Sequence, residues 1–193
     1  MKNTLAGLCL VMLAMNTASD QQAATDTQAQ TTAAQTAIKD LAGALQKELK
    51  GAMQAGGPVA AIGLCNSRAM PITQEVAGNR GLSLGRVSLN NRNPANQPTD
   101  WQAAVLKNFD QQKSAGKDIG ALVWSETASV DGEKEFRFMK AIPTQAVCLT
   151  CHGTDISPDV SQVLAVLYPG DRATGYKEGD IRGAFVVTRK FSD

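Results

Sequence analysis

The chain has 193 residues, with 19 Lys and Arg against 18 Asp and Glu, and 43% of its residues are hydrophobic. A formal net charge of +1, with both signs well mixed, argues against nucleic acid or an anionic membrane surface as the main partner. The length, less a short leader, suits one domain with a sizeable core, yet only 5% of residues are aromatic, so something other than side chains is a natural filler for its middle.

The chain begins with Met1 and Lys2, an apolar run from Leu5 to Met15, and a small and polar exit through Ala18 and Ser19. This is the pattern of a secretory signal over residues 1–19, and the run is shorter than the roughly 20 apolar residues of a membrane span. Cleavage after Ala18 or Ala24 is expected, and with it a periplasmic protein without a membrane span; an uncleaved anchor is the alternative. Cys9 lies inside the apolar run and is expected to leave with the leader. Residues 20–36, rich in Ala, Gln and Thr, read as a flexible lead-in to a single domain over residues 37–193.

Ile38, Leu41, Leu45 and Leu49 recur at helical spacing, which predicts a helix to about Met53. Gly56-Gly57 stops it, and Pro58 suits the first position of a second helix. There Ile62, Cys65, Ala69, Ile72 and Val76 form one apolar stripe, which turns Cys65 inward, while Pro71 invites a kink. Leu82 to Leu89 alternate as a strand does, and the polar, Pro-rich stretch from Asn90 to Pro98 reads as an ordered loop. Thr99 caps a helix from Asp100 to about Ser114, with Trp101, Val105, Leu106 and Phe109 on its face. Strands are expected over 119–125 and 135–142, joined through an Asp131-Gly132 turn, with Pro143 ending the second. A helix from Pro158 to Leu167, a Gly- and Asp-rich loop, and a last strand from Gly183 to Arg189 follow. Helices first, then a hairpin and a returning strand, describe an α+β domain.

Beyond the leader the cysteines are Cys65, Cys148 and Cys151, and the one histidine is His152. The run Cys148-Leu149-Thr150-Cys151-His152 is the C-x-x-C-H pattern of c-type haem attachment. Two thiols at this spacing can add to the two vinyl groups of one haem, and the next imidazole then reaches the iron. Two other chemistries share these residues. A thioredoxin-like dithiol lacks the surrounding βαβ pattern and leaves His152 unexplained. A zinc site from Cys65, Cys148, Cys151 and His152 has the right donors, but Cys151 and His152 are neighbours that strain to face one ion. With a single histidine, the sixth position on a haem iron falls to Met, Cys, Lys, water or nothing, and Met53, Met70, Met139 and Cys65 are the candidates. Arginines that hold haem propionates by paired charge-assisted bonds are sought first in Arg92, then in Arg68 and Arg86, each with a solvated surface role as the ordinary alternative. Trp124, Phe136, Phe138 and Tyr176 could line the pocket or be plain core.

Several pieces of the chain resemble the c-type haem domains with a PAS-like fold found in bacteria including cyanobacteria, long catalogued as a domain of unknown function. They are Ala61-Ile62 through Cys65 with Ala69-Met70-Pro71, Arg86-Val87-Ser88-Leu89 running into Arg92-Asn93-Pro94-Ala95-Asn96, and Asp100-Trp101. Further on are Cys148 to Gly153 and the run from Tyr176 through Gly179 to Ala184, so that the whole covers about residues 38 to 190. The resemblance implies a PAS-like antiparallel sheet flanked by helices behind a long N-terminal helix, and an iron held between His152 and Cys65. A thiolate opposite imidazole stabilises ferric iron and lowers its reduction potential relative to methionine ligation. Two strong ligands leave no open position for enzyme chemistry, and no second histidine is present to act as acid or base. The expected role is redox or small-ligand sensing, a small gas being the ligand that takes the place of a departing Cys65. No kinase, cyclase or membrane output follows the last strand, so the signal is expected to pass to a separate redox or signalling partner. A diffusible electron carrier is the alternative.

Overall fold

The structure, a computed structural model, describes the backbone of residues 9–78 and 80–191, and side chains from residue 21 onward, residue 23 excepted. The expected leader falls on residues 1–8, outside the described residues, and on the first turns of helix α1 (Cys9–Gly78), where the backbone alone is described. Helix α1 is interrupted where expected, at Gly56 (φ −157°, ψ 20°) and Gly57 (φ 69°, ψ −162°). An ion pair between Arg80 and Asp40 brings the end of the second arm back beside the first, so the two arms form a hairpin. The dihedrals of Gly57 lie in a region essentially closed to residues with a Cβ. Gly57→Ala is therefore expected to remove about 1–3 kcal/mol of stability, measured by urea unfolding of the full chain; an unchanged midpoint would show that the break tolerates other backbone angles.

Residues 20–36 are a correction. They continue α1 in place of a flexible lead-in, and from Gln30 onward they touch the domain: Arg189 Nη1 donates to Gln30 Oε1 at 3.2 Å and Ala34 is buried. Ala and Gln are good helix formers, and the absence of bulky groups lets this arm lie close to the sheet. Among the described residues no helix is long and apolar enough to cross a membrane.

Four strands, β1 (Ser83–Val87), β2 (Val123–Val130), β3 (Glu133–Pro143) and β4 (Ile181–Phe191), form one antiparallel sheet in the order β1-β4-β3-β2. Asp131 (φ 53°) and Gly132 (φ 83°) close the β2-β3 hairpin, both in the left-handed region that a two-residue hairpin turn demands. Central β3 and β4 bury both faces by strict alternation. Phe136, Phe138 and Val187 meet Ala34 and Ile38 of α1 on one side, and Met139, Ala141, Ala184 and Val186 meet Val105, Leu106 and Phe109 of α2 (Asp100–Ser114) on the other. Thr99 N donates to Gln102 Oε1 at 2.9 Å at the start of α2. The strand expected from residue 119 begins at Val123 because the Asp118 side chain accepts from Gly120 N at 3.1 Å and holds Ile119–Ala121 in a 3₁₀ turn. The α+β build expected from the sequence, an antiparallel sheet flanked by helices behind a long N-terminal helix, is the one the chain adopts.

Between β3 and β4 lie a 3₁₀ turn (Ala146–Cys148), the single turn α3 (Leu149–His152) and α4 (Pro158–Leu167). A third apolar cluster of Ile62, Val160, Leu164 and Tyr168, with Cys151 packed against it, fastens this segment to the second arm of α1. One turn beyond Ile62 on that arm stands Cys65.

Candidate functional site

Pro143 ends β3, and the segment it releases is anchored at once: Thr144 N donates to Asp180 O at 2.7 Å, and Gly179 N donates to Thr144 O at 2.9 Å. Cys148 and Cys151 follow as half-buried free thiols on one turn of helix. A Cβ on Gly153 would stand 2.6 Å from Leu149 O, so the tight exit after His152 admits glycine alone without rearrangement. Past that exit, Gly175 N donates to Gly153 O and Tyr176 N to His152 O, both at 2.9 Å.

His152 Nδ1 lies 2.6 Å from Ala173 O. A carbonyl only accepts, so Nδ1 carries the proton and Nε2 presents its lone pair, the arrangement of a histidine prepared to ligate a metal. Burial, then the positive charges of Arg182 and Arg92, push the imidazole pKa down to about 3, so the ring is neutral at physiological pH. The ring of Tyr176 stands edge-on to it, with centroids 6.4 Å apart.

The Asn90 to Pro98 loop is a brace for this turn. Asn93 Oδ1 accepts from Ala95 N at 2.9 Å and starts the 3₁₀ turn Pro94–Asn96, and Ser88 N donates to Asn96 O at 3.1 Å. Asn91 Oδ1 accepts from Arg172 Nη2 at 2.6 Å. Arg92 Nε donates to Asp171 Oδ2 at 2.9 Å, while its Nη2 donates to Cys151 O and, at 3.2 Å, to Ala173 O. One guanidinium thus ties the thiol turn to the loop that orients His152.

Cys65 is exposed, and this corrects the inward stripe: Ile62 and Ile72 are buried, Ala69 and Val76 half-buried, and Cys65 lies at the margin of that contact. Protein nonetheless surrounds one side of it. Desolvation pushes its thiol pKa up, opposed by the positive charges of Arg86 and Arg92, and the Cys151 thiol is raised by desolvation and in part by Cys65. Cys65 therefore lies within electrostatic reach of Cys151, Arg86 and Arg92. Among the described residues no three His, Cys, Asp or Glu side chains converge on a metal-ion position, so the Cys65, Cys148, Cys151, His152 set is not arranged as a zinc site.

A family model described as Tll0287-like matches residues 11–189. The chain belongs to the Tll0287-like family. Among solved structures, the cyanobacterial heme-protein Tll0287 matches with a TM-score of 0.57 at 23% identity, over 81% of this chain and 94% of that one. No curated protein matches.

On this Tll0287-like frame the remaining expected site residues separate. Trp124 stacks on Trp101 at 5.6 Å within the α2-face core, and Phe138, stacked on Phe136 at 6.4 Å, packs under the first arm of α1, so neither aromatic stands with His152. Met139 is fully buried in the α2-face core, and Arg68 is exposed. Met53 is half-buried on the first arm, whereas Met70 shares a cavity of about 290 Å³ with Thr73 and Arg86. Reading by residue pattern missed Asp171, Ala173 and Arg182. The first two sit in a loop with no periodicity, and Arg182 stands at the start of a strand, where a basic residue is unremarked. Arg182 Nη1 donates to Ser88 Oγ at 3.1 Å and to Asn90 O at 3.4 Å, and the guanidinium lies 5.2 Å from the centre of the Tyr176 ring.

Proposed function

We propose that the chain is an exported, periplasmic c-type haem protein, binding one haem through Cys148 and Cys151 with His152 and Cys65 as iron ligands. Its role on this reading is to sense redox state or a small ligand and to signal through a separate protein partner. Three features fit haem: free thiols at attachment spacing, an imidazole with Nε2 available, and an enclosed Arg86 guanidinium with no anionic partner among the described residues. The family relative of solved structure is itself described as a heme-protein. A bound haem would supply a one-electron couple and an iron that accepts two axial ligands.

The unequal support of the two ligand residues carries the sensing role. His152 is held by Ala173 O, by Tyr176 N on its carbonyl and by the Arg92 brace on the adjoining Cys151 carbonyl. Cys65 is exposed, on a helix arm that begins at a glycine break. Were iron held by this pair, Cys65 would be the ligand less firmly positioned by the protein, and its departure on reduction would open a coordination position.

Absorption spectra of the oxidised and reduced protein, with and without carbon monoxide, test this on wild type and Cys65→Ser. A thiolate signature in the oxidised wild type, absent from Cys65→Ser, and carbon monoxide binding by the reduced wild type are expected. A thiolate signature that persists in Cys65→Ser would remove Cys65 from the iron. The exposure of Val147 (55%), inside the attachment segment, favours the second reading, an electron carrier docking near the thiol turn. Refusal of carbon monoxide by the reduced wild type, with ligation unchanged across the couple, would select it.

A further inference from the structure

The cations around the ligand residues are not equivalent. Arg92 has its counter-charge in Asp171. The guanidinium of Arg86, on β1 opposite Phe185 of β4, has no hydrogen-bond or ion-pair partner among the described residues, although protein encloses most of it. Arg182 reaches the neutral acceptors Ser88 and Asn90 and the Tyr176 ring, and no carboxylate. We infer that Arg86 and Arg182 form a two-guanidinium seat for the carboxylate groups of a bound porphyrin, and that Arg92 positions the ligand turn without touching the porphyrin. The inference rests on the haem reading above.

Geometry brings the two near one another: Arg182 Nη1 reaches Ser88 Oγ at 3.1 Å, just past the end of β1 and two residues beyond Arg86. The positive charge of Arg86 acts on Cys65, that of Arg182 acts on His152, and Arg182 also acts on Arg86. Arg92 acts on both ligand residues as well, but it has its counter-charge in Asp171, whereas Arg86 and Arg182 act on one another. Desolvation is the largest influence on both, and it pushes both pKa values down from the ordinary arginine value. Two like charges enclosed together oppose one another as well as their own burial, the Asp171 carboxylate that acts on Arg182 being already paired with Arg92, and a ligand bearing two carboxylates relieves both penalties. A haem presents two such groups along one edge of its plane. The geometry of a guanidinium, with its parallel N–H donors, suits each of them.

The consequence is a reversal of sign. In the haem-free chain, Arg86→Leu removes an uncompensated enclosed cation and is expected to keep or raise the melting temperature; in the haem-loaded chain, it removes a propionate anchor and is expected to lower it. Arg92→Leu lowers both. A second measurement isolates the carboxylates: the full chain carrying Cys148→Ala and Cys151→Ala, which remove the thiols that would attach haem covalently, is titrated with hemin and with hemin dimethyl ester. Hemin is expected to bind about tenfold or more tighter than the diester, the scale of a charged hydrogen bond, and Arg86→Leu to shrink that preference while Arg86→Lys retains part of it. Equal affinity of that chain for the two porphyrins, or no binding of either, overturns the seat, as does a haem-free Arg86→Leu chain that is less stable than its parent. Absence of haem from the chain matured with both thiols intact would instead fail the functional reading.

Discussion

Arg92→Leu is expected to remove about 3–5 kcal/mol of folding stability, the scale for breaking a buried ion pair from one side. Both partners of the Arg92–Asp171 pair are 11% exposed at their side chains, so the stranded Asp171 carboxylate has little water to replace its partner. Asp171 would keep the Ala173 N–H, which donates to its Oδ1 at 2.7 Å, but Cys151 O and Ala173 O would each lose a donor. Against a typical total of about 5–15 kcal/mol, such a loss is a large fraction of the whole. The functional consequence follows from the same bonds, because Ala173 O is the acceptor that orients His152. Urea unfolding of the haem-free chain and haem content after maturation would both fall. Arg92→Lys is expected to recover only part, since an ammonium cannot span Asp171 and two carbonyls as the planar fork does. A loss below about 1 kcal/mol would mean that the pair behaves as a surface bridge.

The second large effect is a pH dependence of the haem-free chain. His152 has a folded pKa of about 3, against roughly 6.5 in an unfolded chain. Between those values the unfolded chain binds a proton that the folded chain does not, so stability is complete above about pH 6.5 and declines as pH falls. At about 1.4 kcal/mol per pH unit, the loss should reach about 2 kcal/mol by pH 5 and about 4–5 kcal/mol near pH 3. Asp180 acts in a different window. Lys113 Nζ, 2.7 Å away, holds its carboxyl below the usual carboxylate range, and that contribution disappears only in stronger acid. Urea unfolding at pH 7.5 and pH 5 isolates the histidine, and His152→Gln is expected to flatten the slope between them. An equally steep slope in His152→Gln would assign the acid sensitivity to other groups.

Much of the fold was legible because its signals are local. Helical spacing at Ile38, Leu41, Leu45 and Leu49 marked the first arm, Gly56-Gly57 its break, Thr99 the start of α2, Asp131-Gly132 the hairpin turn and Pro158 the start of α4. Where reading failed, the deciding partner was remote or the cue ambiguous. Residues 20–36 carry no bulky apolar group, and only contact with Arg189 and the sheet shows that small side chains served close approach. Cys65 fell on an apolar stripe by periodicity, but α4 covers Ile62 and leaves the cysteine at the margin.

The sequence by itself determined the chemistry on offer: two thiols at attachment spacing, the adjoining single imidazole, and a third thiol on another helix. These are matters of covalent spacing and residue inventory, independent of how the chain folds. Tertiary structure alone decided how the arginines divide their work. Arg92 meets Asp171 across 79 positions of chain, and Arg182 meets Ser88 across 94, whereas Arg86 meets no carboxylate at all among the described residues. Nothing near an arginine in sequence states whether folding will bring an anion to it, because that depends on how the sheet and the 171–176 loop close around the thiol turn.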